Sequence, residues 1–397
     1  MFRDRMSRIH PAWLALSLLP LAGCTQSTSS SGGSIVGAGS SASQGHGTST
    51  SAPSLIGSPG SGTCVPGAPM TFANAVCVCH GLTNAGSLRT HAPPGGAASV
   101  GVNQGSSAAT GSQIEGGYVP YAGLDVAGEL DVRDGLLTTG SLGGAGTLKV
   151  GGDLSVGGSL VFAGSLQLGG KLRSASPPVA VPGISQAPTA AYVAPAGPPC
   201  ACDPESLLPI AQGVAAAASN NDNAAHGLSD DAADLLGSGS LTLVTGSYYF
   251  KNAERVGAST IVIDGAVTLY LDGSTVSVGE HQIQLTAGSS LDLYVSGQLV
   301  TAGTIALGDP SHPQNFRLFV GGAGSMLVTA GAQSFAGLVY APQADIAFAG
   351  GTGVEGAVFA RSLTWAGALD VTYASGGTPS TACTSTSTGT APVGKTQ

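Results

Sequence analysis

The sequence predicts an all-β chain: a β-solenoid (β-helix) with Gly-rich corners and one short α-helix set between two solenoid segments. Three observations carry this expectation. Leucine recurs every sixth residue, at Leu124, Leu130, Leu136, Leu142, Leu148, Leu154, Leu160, Leu166 and Leu172. Glycine holds the fifth place in seven of the eight full hexads, Asp134 being the exception. Only 9% of residues are charged while 63 are Gly, a composition that suits turns and low-charge strands.

An even period keeps every leucine on one side of an extended strand. The third place of the hexad (Val126, Val132, Val150, Val156, Phe162, Leu168) points the same way. The small fourth residue and the glycine then turn the chain, glycine being expected to supply a positive φ. A helix would need apolar residues three and four apart, which this stretch lacks. Strand and corner, repeated, wind into coils of roughly 18 residues with leucine stacked inside. Alternation places Ser155 on the outer side.

Residues 1–23 read as a processing signal. Arg3, Arg5 and Arg8 form a basic start, and Trp13 to Leu19 is apolar but too short to span a bilayer. The signal ends in Leu21-Ala22-Gly23-Cys24, which resembles the bacterial lipoprotein lipobox. That resemblance implies cleavage before Cys24 and lipidation of Cys24, anchoring the chain to a membrane. Thr25 follows rather than Asp, which under the enterobacterial sorting rule implies the outer membrane. Residues 24–63 are then the lipidated Cys and a Ser/Gly-rich tether without Asp, Glu, Lys or Arg.

Residues 64–173 form the hexad solenoid. Its first coil lies at 76–92, where Val76, Leu82 and Leu88 are again six apart. A Gly/Ser/Ala loop is expected over about 93–113, with the ladder resuming near Tyr118. Residues 174–202 are a Pro/Ala-rich linker, since proline cannot serve a central strand. Residues 203–238 carry a helix and a polar loop. Asp203 suits an N-cap and Pro204 the first helical position, and the Ala-rich run continues to about Ser219. Asn220 to Asn223 ends the helix. This cluster lacks the spacing of a calcium loop. Residues 239–374 hold a second, less regular β-helical stretch, and 375–397 a Ser/Thr-rich tail. Within the second stretch, Leu269-Tyr-Leu-Asp-Gly273, Leu293-Tyr-Val-Ser-Gly297 and Leu318-Phe-Val-Gly-Gly322 are echoes 24 and 25 residues apart.

The segments Gly246 to Phe250, 267–273, 291–297, 335–350 and 356–363 resemble a β-helical domain of unknown function. That domain occurs in bacterial lipoproteins and at the C-terminal end of minor-pilin-type pilus-assembly proteins. The hexad ladder resembles bactofilin-style β-helices in repeat style alone. Neither resemblance implies a catalytic residue.

Seven cysteines are present. With Cys24 lipidated, Cys64, Cys77, Cys79, Cys200, Cys202 and Cys383 remain, an even number that reads as disulfides in an exported chain. Six cysteines allow fifteen pairings. If Val76 and Val78 face inward, Cys77 faces outward and Cys79 lies near a corner. At least one bridge is therefore expected between Cys77 or Cys79 and Cys200 or Cys202. The rival is a metal site from the two C-x-C pairs and His80, although zinc pairs are usually spaced by two to four residues.

Function classes narrow accordingly. Formal net charge is −9, and loss of residues 1–23 makes it −11, with no basic cluster, so nucleic acid is not an expected partner. Asp264 and Asp272 precede glycines as turn residues do. Asp230, Asp231 and Asp234 read as solvated or capping groups, and His226, His281 and His312 lie in no nucleophile motif. No catalytic residue, metal or cofactor is assigned. The expectation is a non-enzymatic, lipid-anchored protein of the cell envelope, structural or adhesive. The alternatives are an envelope polysaccharide-binding module, with Tyr248 and Tyr249 as exposed stacking rings, or a polysaccharide-active β-helix enzyme. Partners are the membrane through the lipid anchor, an envelope polysaccharide or envelope proteins, and further copies of the chain.

Overall fold

The computed structural model describes residues 72–108, 111–176, 189–231, 239–251, 253–302, 305–329 and 333–375. Cys24, Cys64, Cys383 and Asp234 lie outside them, as does nearly all of the tail. The chain is a β-solenoid in which strands of successive coils pair in parallel. In the hexad region Leu136 registers with Leu154, Leu142 with Leu160 and Leu148 with Leu166, so each coil is three hexads and 18 residues. All nine ladder leucines are buried.

The corner glycines are needed for a reason other than backbone twist. Those in the fifth place do not have positive φ. Coils stack so closely at the corners that a Cβ on Gly140 would sit 1.7 Å from the carbonyl oxygen of Ala122 in the adjacent coil. Any larger residue would push the coils apart.

The two solenoid stretches form one stack. The coil over 352–373 lies directly on the coil over 76–91: Val358 registers with Val76, Leu363 with Leu82 and Leu369 with Leu88. All three faces continue across this seam, and one apolar core runs through both stretches. A single inward column passes from Tyr248 through Leu269, Leu293, Leu318, Val339 and Val358, crosses to Val76 and Val100, and continues through Tyr118, Leu136 and Leu154 to Leu172. Spatial order is thus a permutation of chain order. From Phe72 the described chain enters at the seam and winds to one end. It then returns along the outside, restarts at the far end and winds back to the seam. Tyr373 closes the circle by donating its phenol hydrogen to the Phe72 carbonyl.

Two sequence expectations need correction. Residues 100–114 are not a loop but a complete coil, with strands Val100–Val102, Gly105–Ala108 and Ser112–Ile114. Ser106 and Ser112 occupy leucine positions, which hid the period. Tyr118 compensates by reaching across the interior to hydrogen-bond the Ser106 hydroxyl. The helix is also shorter than 203–219. Pro204–Ser206 is a single 3-10 turn, and α1 covers Ile210–Ala217. Pro209 separates them, because it lacks the N–H needed to continue a helix. Beyond the expected break, Thr189–Ala191 pairs with Leu172–Ser174 as a last strand. No helix among the described residues is long and apolar enough to cross a membrane.

Burial pushes the Tyr118 phenol up to about 12, with the Ser106 hydrogen bond opposing part of the rise. A folded-state value above the unfolded value of about 10 means the native state holds the proton more tightly. The contribution is full below pH 10 and is lost as pH rises from about 10 to 12. At about 1.4 kcal/mol per unit this amounts to roughly 3 kcal/mol. Urea midpoints measured from pH 8 to 11 should fall at the alkaline end, and Tyr118→Phe should flatten that fall. An unchanged alkaline slope in the variant would remove Tyr118 as its source.

A candidate binding cleft at the seam

One residue after the inward column, side chains face outward. In the second stretch these are aromatic: Tyr249, Tyr270, Tyr294, Phe319, Tyr340 and Phe359, in register from coil to coil. Tyr294 and Phe319 stack at 4.4 Å between centroids, nearly parallel at 8°, and Tyr270 stacks on Tyr294 at 5.1 Å. Such a stripe would be a large exposed apolar patch if left open. Helix α1 covers it with Ile210, Val214 and Ala217, joined by Phe72. The backbone N–H of Leu208 donates to the Tyr340 hydroxyl at 3.1 Å.

Tyr248 and Tyr249 are consequently not exposed stacking rings; each is 1% exposed. Tyr248 belongs to the inward column. Tyr249 is locked by Asn223, whose amide bonds its backbone carbonyl and N–H at 2.5 and 3.1 Å. Its phenol donates to Asp272 at 2.9 Å, and burial together with that carboxylate pushes it up to about 12.

Beyond Phe359 the outward column continues across the seam as Cys77 and then Gly101. The returning segment crosses here. Cys77 is bonded to Cys200 and Cys79 to Cys202, with Cα separations of 5.8 and 5.6 Å. Asn103 imitates a strand partner for Cys200, donating to its carbonyl at 2.8 Å and accepting from its N–H at 2.9 Å. Gly101 lets the segment lie flat: a Cβ there would come within 2.9 Å of Pro199 and 3.1 Å of the Cys200 sulfur.

The next residues turn the first corner, and the same corner recurs in six consecutive coils at Ala323, Pro342-Gln343, Arg361, Cys79-His80, Asn103-Gln104 and Tyr121. Together with Pro198, Cys202, Pro204 and Leu207 of the returning segment, these residues enclose a cleft of about 640 Å³ that straddles the seam. Arg361 directs Nε to Asp345 Oδ1 at 2.8 Å and Nη2 to Oδ2. Ser362 also donates its hydroxyl to Asp345. The Arg361 guanidinium, with Ser362 and the nearby His80 adding to it, lowers the Asp345 carboxyl below its usual range and outweighs partial burial. Ser362 thus donates a hydrogen bond to a carboxylate already held by arginine.

The remaining sequence candidates are scattered. Asp264 accepts from Thr286 at 3.0 Å, and Asp272 from Ser296 at 2.9 Å. Both precede glycines with positive φ, Gly265 (114°) and Gly273 (89°), but Gly265 lies within the strand Glu254–Asp272 and not in the turn expected there. Asn221 bonds the Ala217 carbonyl at the end of α1, and Asp230 receives the Asn223 amide at 3.2 Å. His312 pairs with Asp309 at 3.0 Å, His281 bonds Ser259 at 2.9 Å, and His226 packs on Tyr248. Sequence reasoning missed the pair Asp292–Arg317, held by two hydrogen bonds. The signal was present: the echoes LDLYV and FRLFV place Asp292 and Arg317 at the same position of successive coils. Burial raises the Asp292 carboxyl while Arg317 opposes the rise.

With this geometry in place, comparison with known proteins adds one finding. Residues 202–376 match the family model described as "Domain of unknown function (DUF7305)". The match is to less than half of the chain. It takes in α1 and the coils from 239 to 373 and stops at the seam, leaving the hexad coils outside. No curated protein and no solved structure matches the chain.

Proposed function

We propose that this is a non-enzymatic protein of the cell envelope, lipid-anchored through Cys24 at the outer membrane, acting as a structural or adhesive solenoid. The observation that carries the reading is a pair of in-register disulfides bracing the solenoid, in a chain whose Leu21-Ala22-Gly23-Cys24 resembles a lipobox and whose residues 25–63 hold no Asp, Glu, Lys or Arg. Disulfides belong to oxidising compartments outside the cytosol. Phe72 and Tyr373 meet at the seam, joined by a hydrogen bond from the Tyr373 phenol to the Phe72 carbonyl.

The anchor is tested by metabolic labelling. Parent protein should incorporate a palmitate analogue and fractionate with membranes, and Cys24→Ser should do neither. Equal labelling of the two would defeat the anchored reading.

A further inference from the structure

We propose that the seam cleft binds an acidic oligosaccharide, one bearing uronate carboxylates. The proposal deepens the adhesive reading above, which supplies the setting in which such glycans are met. The cleft volume of about 640 Å³ lies in the range of small-molecule sites, about 300–1,000 Å³. Its wall is built from side chains of the kinds that hold sugars. Gln104 and Gln343 are exposed amides, each able to donate and accept toward neighbouring hydroxyls. Tyr121, half-buried at the cleft wall, offers a ring face on which pyranose C–H groups can rest.

Charge selects the class of sugar. Arg361 and His80 line the cleft, while no Asp or Glu does. Asp345 takes one N–H each from Nε and Nη2 of Arg361, and a guanidinium has five N–H donors, so that pair uses two of the five.

A peptide adding as a strand fits less well. Along this corner the backbone donors are already used by the adjacent coil: Cys79 on Ala360, His80 on Arg361, Asn103 on Val78 and Tyr121 on Val102. Strand addition needs an open edge, and the cleft offers side chains instead. A nucleic acid would want a basic stripe, and one arginine with one histidine is not that.

The test is calorimetric titration of the purified full chain with tetragalacturonate, using maltotetraose as the neutral counterpart. Tetragalacturonate should bind and should weaken as salt rises. The double variant Gln104→Ala/Gln343→Ala should lose about tenfold in affinity, equivalent to about 1.4 kcal/mol. His80→Ala should also weaken binding, and both variants should melt like the parent because these side chains are exposed. Absence of binding at millimolar tetragalacturonate, or binding indifferent to the double variant, would overturn the proposal. Maltotetraose binding as tightly would overturn the acidic class. Palmitate labelling does not depend on any of these outcomes, so failure here is separable from failure of the anchored reading.

Discussion

Leu148→Asp should unfold the hexad end of the solenoid. Leu148 is fully buried and lies in register between Leu130 and Leu166. Removing the side chain alone should cost about 2–5 kcal/mol. A carboxylate among leucines adds the cost of an unpaired buried charge or of its forced protonation. The total should exceed about 5 kcal/mol, comparable to the whole stability of many domains. Solenoid coils are stabilised by their neighbours, so the damage should spread toward the free end. Hydrogen exchange should report lost protection over 136–174, with 239–373 less affected. Val161→Asp is the control, since Val161 is 53% exposed and the change should fall within about 0.5 kcal/mol. Equal melting of the two variants would mean that the inward column is misassigned. Ser155 would be a poor control: alternation puts it outside, but it is 7% exposed. Tyr192 of the returning segment packs close to Gly157, two residues further on.

That exception shows where sequence legibility ends. Alternation and period reveal which way a side chain leaves its own strand, so the leucine column and the 18-residue coil were readable. They do not reveal what a distant segment lays over the outer face. Tyr249 and Ser155 are therefore both outward by parity and both buried. The coil over 100–114 escaped notice because Ser106 and Ser112 fill leucine positions and Tyr118 makes up the volume from another coil. The seam was hidden for a similar reason. Val76 and Val358 are far apart in the chain, and neither stretch states in its pattern that the other will stack on it. The cleft inherits that obscurity, because its corner residues come from coils on both sides of the seam. The cysteines were the one local hint that the returning segment meets the first coil.

Loss of the two disulfides should be strongly non-additive. Cys77–Cys200 and Cys79–Cys202 each join residues 123 apart in the chain. In the chain-entropy model, closing a loop of that length constrains the unfolded chain by about 5 kcal/mol. The second bridge adds much less, because with the first in place it closes a ring of only a few residues, worth roughly 2 kcal/mol in the same model. Replacing either pair with serine should therefore cost about 2 kcal/mol, plus a small packing loss. Replacing all four cysteines should cost about 7 kcal/mol, with the coupling appearing in a double-mutant cycle. The returning segment has a further role, since it leads into α1 and holds that helix over the aromatic stripe. With both bridges gone, α1 should open more readily, and exchange at Ile210–Ala217 should rise ahead of the core. Non-reducing peptide mapping comes first and should recover both pairs. Free thiols at these four positions, or simple additivity of the two pairs, would show that the bridges do not brace the seam in this way.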